Sequence, residues 1–290
     1  MTFEGAITAV GNIVPNTMDA IGRLFPGVPL GSVDRAKSRS VKRTLRDMEI
    51  VKNIGAEKEM SQESIDALCS AIAKERVGCE RLSNVVSFAA ELEPDVSRAD
   101  EVDPAWVEAF RRHAERAVDE EAQRTWASVL AGELDRPGSV SKKTMSILGD
   151  MSRSEARAFQ KLCGCSIEAV DPDGGKKLLP MIECKGLEEF SLSRDEAESL
   201  DALGLTKIHS KGVYVYGSLP FDQRGILVAK IDGVAYRLDR RERQVAVVTP
   251  DLTRYGRELA ALCAPGSYPG FRDAVIQWLE STGVCVEEID

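Results

Sequence analysis

The sequence predicts an α+β protein, with a helical N-terminal half followed by a winged-helix-like α+β C-terminal half. Three observations carry that expectation. From Phe3 to about residue 150 the apolar residues recur at threes and fours, the spacing of a helix face. From Ile167 onward several segments alternate with a period of two. Between two of those segments lies Asp232-Gly233, a hairpin signal, because both turn positions need positive φ. With 43% hydrophobic and 29% charged residues the 290-residue chain can bury a core, and at 6% aromatic that core is mainly aliphatic. Three parts are expected: an apolar helical segment at 1–30, a helical domain with a central hairpin at 31–150, and the winged-helix-like domain at 151–290.

The first segment sets Ile7, Val10, Val14, Met18, Ile21 and Phe25 on one helical face, broken at Pro15. Its interruptions by Asn12, Pro15, Asn16, Asp19 and Arg23 are incompatible with a spanning helix, which needs roughly 20 largely apolar residues. The face can dock on the domain, on a partner, or on a membrane surface. A long helix is expected to about Lys58, opening on the basic cluster Arg35, Lys37, Arg39, Lys42, Arg43 and Arg46. Ser61 caps the next helix, from Ser64 to about Leu92, with Ile65, Leu68, Ile72, Leu82, Val85, Val86 and Ala89 as its apolar positions. Residues 91–103 form an acidic linker. Asp103-Pro104 starts a helix bearing Trp106, Phe110, His113 and Ala117 on one face. Asp119 caps a second, carrying Trp126, Val129, Leu130 and Leu134 and stopped by Arg136-Pro137-Gly138. These two read as an antiparallel helical hairpin.

Capping boxes at Ser152…Glu155 and Ser193…Glu196 start two further helices. Ile167–Val170 and Leu178–Ile182 flank a turn at Asp173-Gly174. Strands are expected at Thr206–Ile208, Val213–Leu219, Ile226–Ile231, Val234–Leu238 and Val245–Val248. Helices follow at Thr253–Cys263 and from Phe271 to about Ser281, then a short strand at Val284–Glu287.

Nothing in the sequence composes an active site: no catalytic, cofactor-binding or metal-binding residues are assigned. The two histidines, His113 and His209, sit in no motif with a nucleophile. Cys163-Gly164-Cys165 has the wrong spacing for a zinc knuckle and reads as helix-end packing. Gly174-Gly175-Lys176-Lys177 precedes a strand, not the helix a phosphate loop requires. Seven irregularly spaced cysteines fit thiols in a reducing, cytoplasmic setting. A net charge of −9 opposes nucleic acid at long range, yet the cluster Arg35–Arg46 is a candidate contact for nucleic acid or lipid headgroups. The order of helices and hairpins after Ser141 is that of a winged helix-turn-helix, and Leu252-Thr253-Arg254-Tyr255-Gly256-Arg257-Glu258-Leu259 supplies the pattern that often follows the wing. The helix expected to read DNA carries Asp195, Glu196, Glu198 and Asp201 against Arg194 alone, so phosphates would repel it.

Several segments resemble one bacterial family. Asp119-Glu120-Glu121-Ala122-Gln123, Trp126-Ala127-Ser128-Val129-Leu130-Ala131-Gly132-Glu133, Arg136-Pro137-Gly138-Ser139-Val140-Ser141 and Thr144–Leu148 are similar to a signature reading DEELQxLWARLLAGE…RPGSFSLRTLxIL. Met151–Leu162, Glu75–Ala90, Leu252–Leu259 and Phe271–Val286 are similar to its other stretches. That family is a bacterial domain of unknown function, and its central hairpin is also similar to the abortive-infection alpha family. The resemblance implies no catalytic residues and no cofactor. The signature residues Trp126, Leu130, Gly132, Glu133, Arg136, Pro137 and Gly138 read as structural: Trp126 and Leu130 buried, Ala127, Ala131 and Gly132 small enough for another helix to approach. The expected function is a non-enzymatic protein-interaction or regulatory protein with an unidentified protein partner, serving phage defence. The alternative is a DNA-binding winged-helix transcriptional regulator.

Overall fold

A computed structural model describes residues 17, 19–26, 33–170, 176–180, 184–207, 216–240, 246–248, 250–263 and 268–289, with the side chains of 33–42, 170, 176, 216–218 and 246–248 excepted. The chain divides into two compact units, Met1–Gly149 and Asp150–Asp290.

The first unit is helical. A short helix, α1, covers residues 19–24, and its apolar face is occupied within the unit: Ile21 is fully buried and Phe25 packs on Phe110 with ring centroids 5.7 Å apart. The expected apolar positions Ile7 to Val14 lie outside the described residues. Helix α2 (Val33–Glu57) turns back into α3 (Gln62–Glu91) at Glu59, whose φ is 52°. Ser61 caps α3 by accepting from the Ser64 amide. Asp47 on α2 pairs with Arg76 on α3 at 2.7 Å, and Gly55 leaves room for Ile65. Leu68, expected among the apolar positions, is instead 45% exposed. The buried face of α3 drifts past it toward Leu82, Val85, Val86 and Ala89, where the partner changes from α2 to the next helices.

The acidic linker is docked, not loose. Ala99 and Val102 are buried, a 3-10 turn forms at Ala99–Glu101, and the Asp95 amide donates to Asp135. Its acids have local partners: Glu101 takes Arg98, Asp103 takes Lys142 and Glu91 takes Arg124. Helix α4 (Pro104–Ala114) is capped by Asp103, α5 (Glu120–Asp135) by Asp119, and α6 (Lys142–Asp150) by Ser141. α4 and α5 touch through Phe110, His113 and Trp126, but the more extensive partner of α5 is α3. Small residues explain that preference: Ala127 and Ala131 are buried, so the backbones come close. Asn84 donates to Gln123, and Arg124 lies over the Phe88 ring at 4.1 Å.

The second unit is α+β. Helix α7 (Arg153–Gly164) and helix α8 (Arg194–Ala202) both begin with complete capping boxes. The strands are β1 (Ser166–Val170), β2 (Lys176–Pro180), β3 (Thr206–Lys207), β4 (Tyr216–Ser218), β5 (Ile226–Ile231), β6 (Val234–Arg240), β7 (Ala246–Val248), β8 (Asp251–Leu252) and β9 (Val284–Glu288). Five of them form an antiparallel sheet in the order β2-β1-β5-β6-β9. The β5–β6 hairpin turns on Asp232 (φ 49°) and Gly233 (φ 79°), a two-residue turn with both φ positive. Leu227, Ala229 and Ile231 point into the core, where they meet Phe271, Val275 and Leu279 of helix α10 (Phe271–Ser281) at i, i+4, i+8. Two short pairs, β3–β8 and β4–β7, lie outside that sheet, and helix α9 (Arg254–Ala260) follows β8.

Candidate functional site

The signature segment is built around α5. Trp126 is buried and stacks on the His113 ring at 5.2 Å, with interplanar angle 11°. Phe110 meets Trp126 edge-on at 5.8 Å and stacks on Trp106 at 5.2 Å. Gly149 passes beneath His113, where a methyl group would overlap the imidazole ring. His113 is therefore a half-buried packing residue at the α4–α5–α6 junction.

Glu133 has the most informative environment. It is 1% exposed, yet it sits in the last turn of α5 and reaches forward over the Arg136-Pro137-Gly138-Ser139 turn. Its Oε1 accepts from the Gly138 amide at 2.7 Å and its Oε2 from the Val140 amide at 3.0 Å. The Val140 carbonyl in turn accepts from Trp106 Nε1 at 2.7 Å. Ser139 Oγ donates to the Gly132 carbonyl at 3.0 Å, and Gly138 takes φ 83°, which favours glycine. Leu130 is fully buried, whereas Arg136 is exposed. Burial pushes the Glu133 carboxyl up, and the amides of Gly138 and Val140 and the Ser139 hydroxyl pull it partly back. Such a carboxylate folds a loop.

The side chains of Arg35, Lys37, Arg39 and Lys42 lie outside the described residues, although their backbone is helical in α2. Arg43 and Arg46 are exposed. They share a stripe at i, i+3, i+7, i+11 with Ile50 and Ile54, which are 47% and 49% exposed.

The Leu252–Leu259 pattern has a steric explanation. Thr253 caps α9 by accepting from the Gly256 amide at 3.1 Å, while its own amide donates to the Leu205 carbonyl at 3.0 Å. Gly256 faces that same carbonyl oxygen, and a Cβ there would overlap it. Backbone cannot yield as a side-chain tip can, so Gly256→Ala should destabilise the chain by about 1–3 kcal/mol, the range for overpacking. Thermal melts check this as a midpoint lowered by about 3 °C or more.

Helix α8 presents Asp195 and Glu198 to solvent, with Arg194 beside them. All seven cysteines are free thiols. Cys163 and Cys165 are both buried, and they are not bonded to each other. Among the described residues no cluster of three or more His, Cys, Asp or Glu could hold a metal ion, and no helix is long and apolar enough to cross a membrane. His209 and Asp173–Gly175 lie outside the described residues.

No curated protein and no solved structure matches the chain. A family match extends over residues 73–275, from the middle of α3 to the middle of α10, and takes in both the Glu133 loop and the Gly256 contact. The chain therefore belongs to the family described as Protein of unknown function (DUF2806).

Proposed function

We propose that the chain is a non-enzymatic protein-interaction or regulatory protein, and that the solvent side of α2 is the surface it offers to a protein partner. The observation that supports this is the stripe Arg43, Arg46, Ile50 and Ile54. Among the described residues, six of the nine large hydrophobic side chains left exposed fall between Leu45 and Val77 on α2, α3 and their turn, so the exposure is concentrated. Isoleucines next to arginines suit an acidic, apolar helix or groove on another protein, where the apolar pair gives affinity and the charges fix register. The process attached to it is phage defence, on the similarity of Trp126–Ser141 to the central hairpin of the abortive-infection alpha family. A second reading, a DNA-binding winged-helix regulator, draws on the order α7, α8, then the strand pair β3–β8. The acid-rich solvent face of α8 weighs against DNA as its ligand and favours a protein-binding version of that module.

The test is purification of the tagged full chain from its native host, beside Ile50→Glu/Ile54→Glu. We expect the parent to recover a stoichiometric protein and the double variant to lose it, at a melting temperature within about 2 °C of the parent, because exposed substitutions cost little stability. Absence of a partner, or equal recovery by both, would overturn the proposal. Salt-sensitive binding of the parent to double-stranded DNA, abolished by Arg39→Glu/Lys42→Glu/Arg43→Glu, would put the second reading in its place.

A further inference from the structure

Helix α2 has two sides of different kinds. One meets α3, where Asp47 holds Arg76 and Gly55 makes room for Ile65. The other carries the exposed stripe of Arg43, Arg46, Ile50 and Ile54, and the stripe does not stop there. Glu57, the last residue of the helix, falls on it too and is exposed. Arg43 lies seven residues before Ile50 and Glu57 seven after, and a seven-residue step keeps to one side of a helix. At 1.5 Å per residue each charge stands about 10 Å from Ile50 along the axis. The same polarity runs through the whole hairpin of α2 and α3. Residues 35–46 hold six bases and no acid: Arg35, Lys37, Arg39, Lys42, Arg43 and Arg46. Residues 57–66, at the turn into α3, hold Glu57, Glu59, Glu63 and Asp66 against Lys58 alone, and all four acids are exposed. The root of the hairpin is basic and its tip acidic.

We infer that the partner of this face is a second copy of the chain, its α2 laid antiparallel along the first with a two-fold axis at Ile50. This rests on α2 being a protein-binding surface and names what it binds. The acidic, apolar helix that Arg43, Arg46, Ile50 and Ile54 suit is the far half of the same hairpin. In the antiparallel pair Ile50 meets Ile50, and Ile54 lies against the apolar stem of Arg46. Arg43 of each copy faces Glu57 of the other, once at either end. Beyond Arg43 the basic positions of each copy run toward the acidic turn of the other. A parallel pair would set bases against bases and acids against acids, and like charges across an interface repel. The order of charge thus selects the antiparallel pairing. That pairing is isologous: one surface serves both copies, and the assembly closes at two. Each α2, whose extensive packing within the chain is with α3, then gains a second helical neighbour. Nucleic acid and anionic lipid match only the basic half of the stripe and are repelled by Glu57 and the acidic turn.

The test measures the mass of the recombinant full chain, purified alone, by sedimentation equilibrium across micromolar concentrations. We expect a monomer–dimer equilibrium with no larger species. Ile50→Glu/Ile54→Glu should be monomeric throughout. Arg43→Glu should weaken the dimer about tenfold, since two attractive pairs become repulsive, and Glu57→Arg should do the same. The combined Arg43→Glu/Glu57→Arg should return the dissociation constant close to the parent's, because the swap restores opposite charges at both ends. All four positions are exposed, so the variants keep the fold, which far-UV circular dichroism checks. A chain that is monomeric at every concentration, a dimer that survives Ile50→Glu/Ile54→Glu, or a charge swap that stays as weak as its single variants would each overturn the inference. A protein-binding α2 face outlives that loss if purification from the native host yields a different protein that Ile50→Glu/Ile54→Glu loses, and falls with it if the purification yields nothing. Where the inference holds, the protein recovered there is the untagged chain itself.

Discussion

Trp126→Ala should cost about 3–5 kcal/mol, the usual range for a buried aromatic, and leave the chain largely unfolded or insoluble. The size follows from position. Trp126 is 5% exposed and is the ring at which α4 and α5 meet, stacked on His113 and edge-on to Phe110. Phe110 also carries Trp106 and, through Phe25, the end of α1. Removing the indole opens a hole under three elements at once, and close-packed neighbours relax only in part. A typical domain has about 5–15 kcal/mol in total, so the loss takes much of the margin. Thermal melts beside the parent decide the matter. A midpoint within about 2 °C of the parent would make Trp126 a binding residue instead of a packing one.

Glu133→Ala should also be damaging. It strips the acceptors from the amides of exposed Gly138 and buried Val140, and the orphaned buried donor costs about 1–3 kcal/mol, the exposed one less because water can replace its acceptor. Glu133→Gln keeps one acceptor and should lose about half as much. The pH dependence has a definite sign. Burial holds the carboxyl of folded Glu133 above its ordinary range, so the folded state binds its proton more tightly than the unfolded chain does. Its contribution is therefore fully present below the ordinary glutamate pKa of about 4.3 and is lost as pH rises through the raised value. Denaturant titrations of the parent and Glu133→Gln should show the difference between them shrinking from pH 4 toward neutrality. A difference that grows over that range would mean the carboxylate is stabilised, not penalised, by its site.

Local chemistry was legible in the sequence because it is written in neighbours. Ser61, Asp103, Asp119, Ser152, Ser193 and Thr253 each accept from an amide two or three residues on, and Asp232-Gly233 turns the hairpin on its own dihedrals. Partner choice was not legible. Periodicity tells which face of α5 is buried, but not that α3 covers it more than α4 does. The misplaced Leu68 has the same origin, since a helix that changes partners midway changes its buried face. Glu133 read as one letter of a signature. Its role needed the turn five to seven residues later to fold back on it. The five-stranded order also escaped the sequence, which specifies hairpins and leaves the joining of β1 to β5 and of β6 to β9 to the fold.

That joining has a consequence for biosynthesis. β1 pairs with β2, which follows it closely in the chain, but on its other side it must wait for β5, with Val170 opposite Val228. At about 5–20 residues per second the ribosome needs roughly 3–12 s to deliver that stretch. For that time one edge of β1 is an open template beside the buried-type residues Ile167 and Ala169, the condition in which nascent chains stick to each other. Glu168 stands between them, and in the finished sheet it lies opposite Lys230. A carboxylate in mid-strand keeps a second copy of the same segment from pairing, since like charges would then face each other. The strand thus carries its own gatekeeper until its proper neighbour arrives with the matching lysine.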